Sequence, residues 1–216
     1  MNYLPVRVKA AASLQCLNSL STFLTSILLL VLCLVANSYG KVESNIIVKT
    51  WQASASEHIY CEVLEPQAVA YFYRLSPAKD FGTQFNFTFY SAKLVFSHPA
   101  HGCSQLSNAY QVGSRIVAIE RGGCSFMTKV LVAQEAGALA VIVYDNEAES
   151  DVHVSMVDDG THREVALPAM FMSGKDGHTI KHTLESLGYG YALVNLPMNL
   201  TTNQMYMMKQ APWNVW

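Results

Sequence analysis

The second half of the chain has the clearest hydrophobic pattern. Residues 115–120 (RIVAIE) form a compact apolar run that predicts a strand, and residues 139–144 (LAVIVY) have the continuity typical of a strand buried on both faces. Between them, Ser125 opens a stretch up to Ala136 with apolar residues at helical spacing, and Gly137 follows as a candidate helix stop. Strand, turn, helix and strand in this order predict a βαβ unit with a right-handed crossover.

The same pattern predicts elements on both sides of this unit. A stripe of Ile180, Leu184 and Leu187 predicts a second helix that stops at Gly188, and a polar loop over 145–164 precedes it. The predicted fold class is therefore α+β, with a mixed central sheet flanked by two helices. Further strands are predicted over residues 58–64, 68–75, 84–96, 166–173 and 191–196, and the second helix over 175–187.

Residues 84–96 alternate most strictly along the chain. Phe85, Phe87 and Phe89 share one parity, whereas Asn86 lies on the polar parity. A period of two predicts a strand with one buried face. We therefore expect the three phenylalanines to face the core and Asn86 to face solvent.

The first 40 residues form a different kind of segment. Arg7 and Lys9 precede an uninterrupted apolar run over 27–36, and small residues follow it. A charged start, a short apolar centre and a small-residue exit predict a secretory signal peptide, cleaved after Ser38 or Gly40. The alternative is a signal anchor that stays in the membrane, which the shortness of the apolar centre disfavours.

The charge balance excludes two classes of protein. Of the 14 Lys and Arg residues, Arg7 and Lys9 lie in the leader, which leaves 12 against 16 Asp and Glu, a net charge of −4. A chain with this acidic balance is not a basic nucleic-acid binder. Beyond the leader, no apolar stretch approaches the roughly 18 residues that span a bilayer, so we expect no membrane span after signal cleavage.

Two sequons fit an exported protein. Asn86-Phe87-Thr88 and Asn199-Leu200-Thr201 both satisfy the N-glycosylation pattern, which gains weight behind a signal peptide. The last residues show neither a retrieval signal nor an apolar anchor. We therefore expect a soluble glycoprotein that is secreted through the endoplasmic reticulum and Golgi.

Three cysteines remain once the leader is removed: Cys61, Cys103 and Cys124. An odd number in an oxidising compartment suggests one disulfide and one remaining thiol. Cys103 and Cys124 are the nearest pair in sequence, and this proximity modestly favours a disulfide between them. Cys61 is then a buried thiol or an intermolecular link.

The chemistry-bearing residues do not assemble into a known catalytic or metal motif. Ser125 lacks a nucleophile-elbow pattern and is predicted to cap a helix. His178 and His182 have chelating spacing but lack the glutamate of a zinc protease, so they are predicted to be exposed helix residues. Residues 98–103 supply only half of a zinc site, and residues 145–151 depart from a calcium loop. We predict no catalytic residues, no metal and no cofactor.

Five spaced segments resemble the protease-associated (PA) domain family. They are residues 117–126, with the sequence VAIERGGCSF, Lys129, residues 133–145, 167–169 (LPA) and 173–177 (SGKDG). Together they fall in order within residues 83–196 and coincide with the predicted βαβ unit. The resemblance implies the PA-domain fold, a mixed β-sheet or open barrel flanked by two helices.

Residues 76–82 and 212–216, together with the Asn199 sequon, are similar to secreted, stand-alone members of this family. That likeness implies a signal peptide, a glycan on Asn199 and no catalytic module, and it suits a Cys103–Cys124 disulfide. The predicted organisation is a signal peptide over 1–40, an N-terminal arm and first strands over 41–82, a PA domain over 83–196 and a C-terminal tail over 197–216.

The resemblance implies a binding role, because PA domains act as lids or ligand-binding modules. We expect a non-enzymatic module whose partner is an unidentified protein or peptide. The predicted contact is the turn of Arg121, Gly122, Gly123 and Phe126, where backbone N–H groups face an acidic group. Arg121 and Phe126 can alternatively just cap and pack. Competing functions are a luminal cargo or sorting adaptor with pH-dependent binding and, less favoured, a small hydrolase.

Overall fold

The structure, a computed structural model, describes residues 58–198, 200 and 208–214. Within these residues the chain forms seven strands, three α-helices and one short 3₁₀ helix. The predicted leader (1–40), the predicted arm (41–56) and Asn199 lie outside the described residues. The strands are β1 (Ile59–Glu65), β2 (Phe72–Pro77), β3 (Phe89–Phe96), β4 (Ile116–Glu120), β5 (Ala140–Tyr144), β6 (Ala169–Met172) and β7 (Ala192–Met198), and the helices are α1 (Ala109–Val112), α2 (Phe126–Glu135), α3 (Gly174–Leu187) and the 3₁₀ helix Gln67–Val69.

The seven strands close into a barrel in the order β1, β2, β6, β5, β4, β3, β7. Strands β3, β4, β5 and β6 run parallel to their neighbours in that group. The remaining pairs, β6–β2, β2–β1, β1–β7 and β7–β3, are antiparallel. The predicted mixed sheet and the β4–α2–β5 unit are confirmed. The barrel is closed rather than open, because β7 pairs with both β1 and β3.

The continuous apolar runs arise because β4, β5 and β6 are buried on both faces. Side chains of one parity join a cluster with the helix α3, through Ile180 and Leu184. Side chains of the other parity pack against Val130 and Ala133 of α2. No position on these strands is left for a solvent-facing polar residue, except Glu120 at the end of β4.

Helix α2 begins after Ser125, as its capping signal predicts, whereas α3 begins at Gly174, one residue before its predicted start, and ends before Gly188 as predicted. The Ser125 hydroxyl accepts a hydrogen bond from the Thr128 amide (3.2 Å) at the start of α2, and Ser173 does the same for Asp176 (3.2 Å) at the start of α3. Gly188 ends α3 with a φ of +71°. No helix in the described part of the chain is both long and apolar enough to cross a membrane.

The predicted strand over 84–96 is too long at its N-terminal end. β3 begins at Phe89, whose partner on β7 is Leu196. The next residue of β7 is Pro197, which has no N–H to continue the ladder, so the preceding segment leaves the sheet. Phe85 is buried there, but Phe87 is 56% exposed, contrary to its predicted place in the core.

Two further local predictions were incomplete. The run predicted as a strand over 68–75 begins with the 3₁₀ helix Gln67–Val69, and β2 starts only at Phe72. The short helix α1, over Ala109–Val112, was not predicted, because one turn is too short to show a hydrophobic period.

The described part of the predicted C-terminal tail, residues 208–214, packs on the barrel. The Phe72 amide donates a hydrogen bond to the Lys209 carbonyl (3.0 Å), and Ala211 is only 1% exposed. The Trp213 and Tyr71 rings pack edge to face, with their centroids 5.5 Å apart. This segment is therefore packed against the barrel as part of the folded domain.

Candidate functional site

The predicted contact turn leads from the end of β4 into the first residue of α2 and spans residues 121–126. Gly122 and Gly123 have φ angles of +105° and +79°, which L side chains rarely adopt. A Cβ on Gly123 would also lie only 3.0 Å from the Sγ of Cys103. Both glycines are thus required by the path of the turn.

A disulfide between Cys103 and Cys124 fixes the turn to the loop after β3. The two Sγ atoms are bonded, and the Cα atoms are 5.8 Å apart. The pairing agrees with the prediction. The remaining thiol, Cys61, is fully buried in the core, and burial raises its pKa to about 12. Cys61 is therefore a buried thiol, not an intermolecular link.

Removing this disulfide is expected to destabilise the domain. The bridge closes a loop between positions 21 apart in sequence, so the double variant Cys103→Ser/Cys124→Ser should lower the free energy of unfolding by about 3 kcal/mol. Chemical denaturation of protein that begins after Gly40 measures the loss. Thiol titration of the denatured, unreduced protein should find one thiol, and three thiols would contradict the pairing.

Lys129 holds the underside of the same turn. Its side chain lies on α2, is fully buried, and donates from Nζ to the carbonyls of His101 and Gly122. Burial lowers the pKa of Lys129 to about 8, against the opposing effect of nearby Glu120. One ammonium group therefore ties both disulfide-linked loops to the helix. The sequence pattern contained Lys129, but nothing in that pattern indicated a buried role.

Arg121 lies at the exposed side of the turn and already has a partner. Its Nη1 is 3.3 Å from Oδ1 of Asp145, which follows β5 and is buried. The Ser150 hydroxyl donates to the other carboxylate oxygen of Asp145 (3.1 Å). The side chain of Arg121 remains 41% exposed. The ion pair uses only Nη1 of Arg121, so the guanidinium retains donors for an external carboxylate.

The backbone of the turn offers further donors. Within the described residues, the amides of Gly122, Gly123 and Cys124 donate no hydrogen bond. They stand just before the N-terminal end of α2, where the helix dipole favours negative charge. The turn therefore presents unpaired N–H groups beside an exposed guanidinium.

Phe126 and the acidic loop border the turn on the other side. Phe126 is half-buried and packs edge-to-face on Phe171, with ring centroids 6.2 Å apart. Asp159, from the predicted polar loop, accepts a hydrogen bond from the Ser125 hydroxyl (2.5 Å) and pairs with Arg163 (2.6 Å). Several hydrogen bonds hold the pKa of Asp159 below its usual range, and the one from Ser125 has the largest effect. Phe126 thus mainly packs, and Ser125 is engaged at a helix start.

The candidates for catalysis and metal binding do not converge. The described residues contain no group of three or more His, Cys, Asp or Glu side chains placed to hold a metal ion. His178 is partly buried rather than exposed as predicted, because its Nε2 lies 3.1 Å from the Asp145 carbonyl oxygen. His182, on the same helix, is exposed. Asn86 of the first sequon is exposed in the segment before β3.

The fold and the turn define a PA domain, and residues 90–180 match the family described as "PA domain". The chain belongs to the PA-domain family. It is 36% identical over 170 residues to the "PRADC1-like protein" of Drosophila melanogaster, covering 77% of this chain and 87% of that protein. The match therefore covers most of the length of this relative.

Other relatives share only the domain. The human "ER degradation-enhancing alpha-mannosidase-like protein 3" is 35% identical over 39% of this chain but only 10% of its own length. A zinc aminopeptidase from Bacillus subtilis is a structural neighbour with a TM-score of 0.46 and 20% identity, covering 67% of this chain and 31% of its own.

Proposed function

We propose that this chain is an exported, glycosylated and non-enzymatic PA-domain protein that binds an acidic group of a protein or peptide at the turn of residues 121–126. The observation that carries the binding role is the rigid turn itself. It presents unpaired amides at Gly122, Gly123 and Cys124 beside a partly exposed Arg121, while the disulfide and Lys129 hold it from behind. A pre-ordered site of this kind binds without an ordering cost.

The acidic group that fits best is a peptide carboxylate. Its two oxygens can accept from Arg121 Nη atoms and from the turn amides together, as anions do at helix N-termini. Phe126 contributes less than its sequence position suggests, because its ring already packs on Phe171. We therefore assign recognition to Arg121, Gly122 and Gly123 and a supporting wall to Phe126.

The candidate nucleophiles already have structural roles, which supports a non-enzymatic function. Cys103 and Cys124 are joined to each other, and Cys61 is buried with a pKa of about 12. The Ser125 hydroxyl accepts the Thr128 amide and contacts Asp159. The leader and the exposed sequon at Asn86 support export, as do relatives whose names place them in endoplasmic reticulum degradation.

A peptide-library experiment tests the binding site. Immobilised peptides with free carboxyl termini should bind the protein, the same peptides with amidated termini should bind at least tenfold more weakly, and Arg121→Ala should abolish the difference. Arg121→Lys should restore part of it because the charge returns. Lys79→Ala is the control, since Lys79 is an exposed cation after β2, at the opposite end of the barrel. Binding that survives Arg121→Ala unchanged would remove the site assignment.

The competing function, a cargo or sorting adaptor with pH-dependent binding, is tested by repeating that assay at pH 7.4 and pH 5.5. We expect equal binding at the two pH values. The proposed contacts are made by an arginine and by backbone amides, and none of these groups titrates between pH 5.5 and pH 7.4. Marked release at pH 5.5 would favour the adaptor. Mass spectrometry of protein from culture medium tests export, leader removal and glycans on Asn86 and Asn199.

A further inference from the structure

A second, separate cavity lies between the barrel and the C-terminal segment. It has a volume of about 100 Å³ and is bounded by β1, β2, the loop before β6, the start of α3 and residues 208–214. Its polar lining includes Arg74, His153, Asp151, Asp176 and Asn214. The contact turn does not line this cavity.

Arg74 enters the cavity from β2 with most of its donors unused. Its Nε donates to Nε2 of His153 (3.2 Å), and the other ring nitrogen of His153 lies 3.2 Å from the Ser76 hydroxyl. Because Nε2 accepts from Arg74, the proton of the neutral ring sits on Nδ1. Among the described residues, the two terminal amino groups of Arg74 make no hydrogen bond or ion pair. A half-buried guanidinium thus presents two free amino groups, with four N–H donors, to the cavity.

Asp176 supplies the opposite charge from the first turn of α3. The residue is only 2% exposed, and its Oδ1 accepts from the indole N–H of Trp213 (2.9 Å) and the side-chain amide of Asn214 (3.2 Å). Both donors bind Oδ1, and a side-chain hydrogen bond with Ser173 also lowers the pKa of the carboxyl group. Each carboxylate oxygen has two lone pairs, so Oδ2 keeps accepting capacity. Burial raises the pKa of Asp176 despite these hydrogen bonds, and a cation in the cavity would offset that cost.

The third charged side chain in the lining is already engaged. Asp151 lies 3.6 Å from the ammonium of Lys175, and its side chain is 63% exposed. Among the described residues that line the cavity, the charged groups without an ion-pair partner are therefore the Arg74 guanidinium and the buried Asp176 carboxylate, which lie on different elements. A ligand that carries only a negative charge would be repelled by Asp176, and a ligand that carries only a positive charge would be repelled by Arg74.

We propose that this cavity binds a small α-amino acid as its zwitterion, with the carboxylate on Arg74 and the ammonium on Asp176. A carboxylate fits the two terminal donors of an arginine in bidentate geometry. The ammonium supplies the donors that Oδ2 can accept. A cavity of about 100 Å³ is small, so we assign it to the smallest α-amino acids, glycine, alanine and serine. The contact turn of residues 121–126 takes no part in this site.

Titration calorimetry with three matched probes tests the proposal on the wild-type protein. L-alanine should bind saturably, whereas propionate and ethylamine, which each carry one of its two charges, should bind at least tenfold more weakly. Equal binding of propionate and alanine would show an anion site and overturn the proposal. The absence of saturable alanine binding would overturn it as well.

Two variants that each remove one charge locate the site. Arg74→Gln and Asp176→Asn should each weaken alanine binding at least tenfold, whereas Lys79→Gln should leave it unchanged. Asn at position 176 keeps an oxygen for Trp213 and Asn214, and tryptophan fluorescence checks that residues 208–214 stay docked. Unchanged alanine binding by Arg74→Gln would refute the assignment. Peptide binding at the contact turn is scored separately, so the failure of one site does not affect the other.

Discussion

Replacing Gly177 by alanine is expected to lower the free energy of unfolding by about 3 kcal/mol or more. A Cβ at this position of α3 would lie 2.4 Å from the Cβ of Tyr144 and 2.6 Å from its Cγ. Tyr144 cannot move aside, because it is 1% exposed and packs on Phe96. Forcing atoms into a packed core costs about 1–3 kcal/mol and sometimes more.

The sign of this effect is opposite to what helix propensity alone predicts. In an exposed helix, glycine is about 1 kcal/mol less favourable than alanine. Urea denaturation followed by circular dichroism measures the change, with Gly190→Ala as the matched control. Gly190 has no heavy atom within 4 Å of a built Cβ, so its alanine variant should be neutral or slightly more stable. A Gly177→Ala protein as stable as wild type would show that α3 does not lie this close to β5.

Lys129→Met is expected to cost about 2–4 kcal/mol. Methionine fills a similar volume but cannot donate to the carbonyls of His101 and Gly122, and each buried acceptor left unpaired costs about 1–3 kcal/mol. Release of a buried charge offsets part of this loss. Lys181→Met is the matched control on α3. Its ammonium is partly exposed and 3.9 Å from Glu120, so its loss should cost under about 1 kcal/mol.

The pH dependence provides a second measurement of Lys129. Its pKa is about 8 in the folded protein, compared with 10.5 for an unperturbed lysine. Between these values the unfolded chain binds more protons than the folded one, so Lys129 makes stability rise with pH from about 8 to 10.5. The Lys129→Met protein should lack this increment. An identical pH profile in both proteins would place Lys129 outside the buried environment described here.

The strands and helices could largely be predicted because their signals are local. A strand buried on both faces needs apolar residues at every position, which is why residues 139–144 predicted β5 well. Helix caps need a hydroxyl at a defined place, and Ser125 provides it. The prediction that Phe87 faces the core was wrong because an alternating pattern forms a strand only where a neighbouring strand continues to pair with it. The pairing of β3 with β7 ends at Pro197.

The roles of single charged residues were not accessible in the same way. The contact turn was predicted from its position between β4 and α2, but its support by Lys129 and the pairing of Arg121 with Asp145 involve residues from other elements. A lysine within a helical pattern indicates a solvated face far more often than a buried one. Only the distance between chain segments shows which role it has.

The amino-acid sequence by itself determined the α+β class and the βαβ unit and favoured the nearest-neighbour disulfide, because each depends on residues close together in the chain. The tertiary structure alone decided that the sheet closes into a barrel, since β1 and β7 pair residues as distant as Tyr60 and Met198. It also decided that Arg74, Asp176 and the segment of residues 208–214 enclose one cavity. Long-range pairing is a property of packed surfaces, and no local pattern of apolar and polar residues records which surfaces will meet.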